Sequence, residues 1–361
     1  MSKRTGLNAA LAVASVVGVL GLAELTLQVL DFPPRAFSPW IRAEDTAYRH
    51  APGLQMRMRR PPEYDVEFRT SALGLRDDAI GEKRGYRVLL LGDSFTSGYG
   101  VERGELFADL LEADTGTEVI NAGVGGYEIV HQLHYYRGRG KAFDPDLVIY
   151  MLYLGNDLTR NDEWRETSAG GLESVDRPFP VRLRREIKLA RLLGQARYGM
   201  RERSARKRGE WEPFDDYLAV CERELDEEAT GDYEAAGRRL LALRDAVSRS
   251  GAELIVVLFS YRTTIDPEAR ARFAAKTPGF DSRYDLDQPE RRITRLLDEA
   301  GVTVHTLNPA LRSYYEQGAP QGPLYFPIDG HFTVAGHRVV ADTLVPLVED
   351  GITRAPTTLR R

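Results

Sequence analysis

Several uninterrupted apolar runs constrain this chain most strongly. They are "RVLLL" ending at Leu91, "TEVINAG", "LVIYMLY" ending at Tyr153, "AELIVVLFS" and "VTVHTL". Each is short, rich in branched residues, and stops at glycine or a polar residue. Between them lie segments with helical spacing, such as "ELFADLLEADTG", "YEIVHQLHYYRGRG" and "ERRITRLLDEAG". Strands without polar alternation are buried on both faces, and the intervening helices are what cover them. The pattern predicts a doubly wound α/β domain with a parallel sheet. In such sheets ligands bind beyond the carboxyl ends of the strands.

The rest of the chain sets boundaries. With 361 residues there is room for one large domain or two small ones. A net charge of −5 gives no general attraction for nucleic acid. The single cysteine, Cys221, excludes an internal disulfide or a cysteine-built zinc site. Lys3 and Arg4 precede an uncharged stretch over 5–23. This predicts an N-terminal membrane anchor or signal segment over residues 1–30, contacting the bilayer through 7–30, with the domain outside the cytoplasm. If "GLA" at 21–23 is a cleavage site, the protein is secreted instead. Residues 31–85 read as a linker followed by an edge segment, with a turn at Gly74. The main domain then spans 86–350.

One stretch interrupts the alternation. Residues 161–232 show no strand pattern, and 181–208 hold eleven Lys or Arg against two Glu. This reads as a helical basic insertion. It is either a solvated cap or a surface for anionic lipid or glycan, and as an insertion after a strand end it is a candidate lid.

Polar signatures cluster at the strand ends. The first strand delivers Asp93 and Ser94. "NAGVGGYE" follows the second, and Gly155, Asn156 and Asp157 follow the third. "PIDGHFT" brings Asp329 and His331 just ahead of the last helix. A serine hydroxyl becomes a nucleophile when a base takes its proton; histidine serves near neutral pH, and a carboxylate fixes its tautomer. Backbone N–H groups of a glycine turn and an asparagine amide suit a developing oxyanion. Ser94, His331, Asp329, Gly126 and Asn156 fill these roles.

Rival residues fit less well. Ser97 lies a turn further from the sheet edge, and His337 sits inside the last helix. His131 and His134 stand three apart on a helix without a third ligand, so no metal site is expected. "GVGGYE" lacks dinucleotide-binding spacing, so no cofactor is expected.

Taken together, "GDSF", "NAGVGG", "GND" and the late Asp/His pair resemble the SGNH (GDSL-type) hydrolase family. The resemblance runs from Tyr86 to about Glu349. It implies a flavodoxin-like three-layer α/β/α sandwich of about five parallel strands. It makes Ser94 the nucleophile, His331 the base and Asp329 the orienting acid. The N–H groups of Ser94 and Gly126 and the Asn156 amide become the oxyanion hole, with Asp93 and Asp157 in support. "SALGLR" and the N-terminal run are similar to membrane-tethered bacterial members. One departure is the spacing: Asp-Gly-His replaces the usual Asp-x-x-His, as in some polysaccharide O-acetyltransferases. The expected activity is an extracytoplasmic serine esterase acting on an ester, possibly O-acetylated, of the cell envelope. An O-acyltransferase using the same residues, or a non-catalytic glycan- or lipid-binding relative, are the alternatives.

Overall fold

A computed structural model describes residues 3–29, 40–159, 164–168, 170–174 and 218–356, with isolated positions 189 and 200. The chain divides into two compact units, Met1–Pro39 with Val175–Trp211, and Trp40–Ser174 with Glu212–Arg361. The candidate site lies wholly in the second.

The first unit contains a helix over Lys3–Val29, where a membrane span was expected. That expectation is corrected: among the described residues, no helix is long and apolar enough to cross a membrane. Asn8, Ser15 and Glu24 are polar residues within the Lys3–Val29 helix.

The second unit opens with two antiparallel pairs. Strands β1 (Trp40–Ala43) and β2 (Ala47–His50) form one; β3 (Gln55–Arg60) and β4 (Tyr64–Arg69) form the other. The first pair and β3 occupy ground that the sequence reading assigned to a linker, while β4 falls in the expected edge segment. Alternation in β3 is between charged and half-buried residues, a weak signal for any strand.

Next comes the central sheet: β5 (Arg87–Leu91), β6 (Glu118–Asn121), β7 (Leu147–Tyr153), then, after a short antiparallel pair β8 (Trp164–Glu166) and β9 (Leu172–Ser174), β10 (Glu253–Phe259) and β11 (Thr303–Thr306). The five sheet strands run parallel in the order β11-β10-β7-β5-β6. Counted along the chain this is 2-1-3-4-5, the flavodoxin-like order expected. The β8–β9 pair corrects the reading of 161–232 as strandless. The basic stretch 181–208 lies outside the described residues, as does any lid it forms.

Burial on both faces follows the strand pleat. In β5 and β7, Leu89, Leu91, Val148, Tyr150 and Leu152 face one layer. Val88, Leu90, Leu147, Ile149 and Met151 face the other. The first layer is closed by helices Ile129–Gly138, Glu227–Arg249 and Gln288–Glu299, through residues such as Leu133, Leu240 and Leu297. The second is closed by Phe107–Thr115, Asn308–Glu316 and Val334–Arg354, through Leu111, Leu311 and Leu344. The chain reverses its winding between β5 and β7, and the crevice at that reversal is where such sheets bind ligands.

Candidate active site

The tip of β5 delivers Ser94 into that crevice. Asp93 caps the short helix Ser94–Ser97, its carboxylate accepting the Phe95 N–H at 2.9 Å. The helix lies close against the loop after β6. A side chain at Gly123 would meet the Ser97 nitrogen at 2.4 Å, so only glycine lets that loop approach. Asn121 ties the two together by donating to the Thr96 carbonyl at 2.9 Å.

From behind, Arg76 fixes the far end of the serine turn. This arginine is fully buried, and it donates to the carbonyls of Ser97 at 2.9 Å, Gly98 and Val101. Its cationic charge meets the carbonyl end of the turn, where positive charge is favourable. The "SALGLR" stretch singled out in the sequence thus ends on a residue that braces the turn bearing Ser94.

His331 Nε2 lies 2.7 Å from Ser94 Oγ. Its Nδ1 is hydrogen-bonded to Asp329 Oδ1. The contracted Asp-Gly-His spacing works because Gly330 takes φ of +87°, which turns both side chains toward the same side. Burial alone would raise the Asp329 carboxyl; the His331 ring, the Tyr64 hydroxyl and Arg60 together bring it down to about 2. Asp329 is therefore an anion throughout the neutral range, the state that holds an imidazole with Nδ1 protonated and Nε2 open to the serine proton.

These groups meet in a cleft of about 230 Å³, lined also by Phe95, Tyr153, Asn156, Tyr261 and Arg262. Phe95 packs 4.6 Å from Tyr153 and 4.8 Å from His331, centroid to centroid. Asn156 stands in the cleft with Asp93, whose carboxyl lies at about 6, raised by burial and held from rising further by the Phe95 N–H and the nearby His331. Gly126 lies in the loop after β6, its carbonyl accepting from Tyr48 at 2.6 Å; it is not among the residues lining the cleft. Asp157 is buried below, accepting from the Tyr150 hydroxyl at 2.9 Å and the Tyr153 N–H at 3.0 Å. Burial first, then the nearby Asp93 charge, pushes its carboxyl well up.

The rival residues stand elsewhere. Ser97 is fully buried. His337 accepts the Phe107 N–H at 3.2 Å and stacks on that ring. His131 accepts the Glu128 N–H at 3.2 Å, and His134 pairs with Glu166 at 3.1 Å. Among the described residues, no group of three or more His, Cys, Asp or Glu could hold a metal ion.

Sequence reasoning missed Arg60, Glu63 and Tyr64. The Tyr64 hydroxyl donates to Asp329 Oδ2 at 2.9 Å, and Arg60 Nε lies 3.4 Å from the same oxygen. Glu63 accepts the N–H groups of Ile328 and Asp329, the latter at 2.8 Å. No motif marks these residues, which lie more than 260 positions from the loop they hold.

Comparison with known proteins places this arrangement. Among solved structures, the acetyl xylan esterase AlAXEase is 14% identical, with a TM-score of 0.43, covering 73% of this chain and 99% of its own. An acetylxylan esterase from Geobacillus stearothermophilus, Axe2, is 16% identical with a TM-score of 0.39, covering 74% and 95%. TesA is 14% identical with a TM-score of 0.40, covering 73% and 99%. No curated protein matches the sequence. The GDSL-like lipase/acylhydrolase family matches residues 90–339, a span holding Ser94, Asn156, Asp329 and His331. The match takes in well over half the chain, and the protein belongs to that family, the SGNH hydrolases.

Proposed function

We propose that the protein is a serine esterase that works through an acyl-enzyme on Ser94. His331 Nε2 takes the Ser94 proton as Oγ attacks the ester carbonyl. The tetrahedral oxyanion is received by the Ser94 N–H and the Asn156 amide, with the Gly126 N–H as third donor. His331 then protonates the departing alkoxide. Water, deprotonated by the same nitrogen, releases the acid and restores the serine. One observation carries this reading: a single imidazole bridges Ser94 Oγ at 2.7 Å and the Asp329 carboxylate.

A short acyl group suits the cleft, since Phe95 and Tyr153 stand packed together beside the serine. An O-acetylated glycan of the cell envelope is the substrate class we favour. Support for work outside the cytoplasm is limited to Lys3 and Arg4 ahead of an apolar run, the pattern of an export segment. The test is turnover of p-nitrophenyl acetate by the wild type and by Ser94→Ala. The expected loss is about 10³-fold or more. A variant as active as the parent would refute the assignment. Faster turnover on adding a glycan acceptor would redirect the acyl group from water to a sugar hydroxyl, by the same residues.

A further inference from the structure

We infer that the β3–β4 hairpin, which precedes the family match at residue 90, is part of the catalytic machinery. In this inference Tyr64, Glu63 and Arg60 are positioning residues that hold Asp329 and its loop in register with His331. It rests on the reading of Asp329 as the acid that orients His331.

The geometry divides the work. A carboxylate bound to histidine through one oxygen retains rotation about its last bond. Tyr64 and Arg60 occupy the second oxygen of Asp329 and stop that rotation. Glu63 acts one step back. Its two oxygens take the adjacent N–H groups of Ile328 and Asp329, which fixes the backbone from which the acid projects. The Tyr64 ring is itself held, packed 5.1 Å from Phe326 and beside Gly100 in the turn after the serine helix. The hairpin therefore touches the acid loop and the loop beyond the nucleophile together.

The electrostatic consequences have definite signs. Tyr64 and Arg60 draw charge from the Asp329 carboxylate. Removing either leaves more negative charge facing His331, stabilises the imidazolium, and moves the acid limb of kcat/KM to higher pH. Glu63 is a carboxyl raised by burial whose ionised form lies beside the same group, so replacing it by a neutral amide moves the limb to lower pH. Asp93, Tyr99 and His337 also face the Asp329–His331 pair and are common to every variant, so differences between variants report the hairpin.

The experiment is a pH–rate series with p-nitrophenyl acetate on the full-length protein, its Tyr64→Phe, Arg60→Gln and Glu63→Gln variants, and Asp329→Asn. Tyr64→Phe is expected to lose about five- to tenfold in kcat with KM within about twofold. Its acid limb is expected to rise by about half a pH unit. Arg60→Gln shifts the limb the same way and Glu63→Gln the opposite way. Wild-type kcat and limb in Tyr64→Phe would overturn the inference. So would a common shift in all three variants that tracks a common loss of melting temperature, the mark of general destabilisation. Asp329→Asn retaining near-parental activity would instead sink the orienting-acid reading; an inactive Asp329→Asn beside an unaltered Tyr64→Phe sinks the hairpin alone.

Discussion

Asp329 and Asp157 show how environment sets two carboxyls apart within one site. Asp329 meets a ring, a hydroxyl and a guanidinium, and falls to about 2. Asp157 meets burial and the charge of Asp93, and rises well above the ordinary range. A carboxyl raised in the folded state binds more protons there than in the unfolded chain. Stability from this group is thus fullest below the unfolded value near 3.8 and is lost as pH rises toward the folded value. Asp157→Asn removes that slope. The variant is expected to gain on the wild type in urea midpoint between pH 4 and pH 7; a parallel pH dependence in both would contradict it. Ser94, Asp329 and His331 were legible because each sits in a short motif at a strand end or before a capped helix. The Asp-Gly-His spacing departs from the usual pattern, and the left-handed turn at Gly330 that accompanies the Asp329–His331 hydrogen bond is visible only in three dimensions.

Among the elements, the Ser94–Ser97 turn depends on what surrounds it. Arg76 gives it donors to three carbonyls from a buried position. Arg76→Met would strand those carbonyls and is expected to cost roughly 3 kcal/mol or more in urea unfolding. Arg76→Lys is expected to recover part of that, since one ammonium reaches fewer acceptors than a guanidinium fork. Equal stability for all three proteins would deny Arg76 its bracing role. Parallel strands and their helices were readable from unbroken apolar runs and glycine stops. Of the β3–β4 hairpin, only β4 was, as an edge segment; its pairing with β3 and its contact with the acid loop were not. Its strands are short and charged, and its partners Asp329 and Ile328 come from the other end of the domain. Contacts of that span leave no period in the sequence. The N-terminal run carries no charge over 5–23, yet among the described residues no helix is long and apolar enough to cross a membrane.

At the scale of the whole molecule, a sheet covered on both faces holds the site, and β5, between β7 and β6, carries Ser94 to it. Leu89 belongs to one layer and Leu90 to the other, both fully buried. Leu89→Ala and Leu90→Ala are each expected to cost about 2–5 kcal/mol by urea denaturation. A large loss for one and none for the other would mean that one face is open. The same sheet brings Ser94 and Asn156 to neighbouring strand ends, and the loop ahead of the last helix brings His331 to them. Trapping of the nucleophile by a fluorophosphonate, followed by mass mapping of the labelled peptide, tests that convergence most directly. One label per chain, on Ser94, greatly slowed in His331→Gln, is the expected result. A folded protein that takes no label, or takes it on another residue, would contradict it.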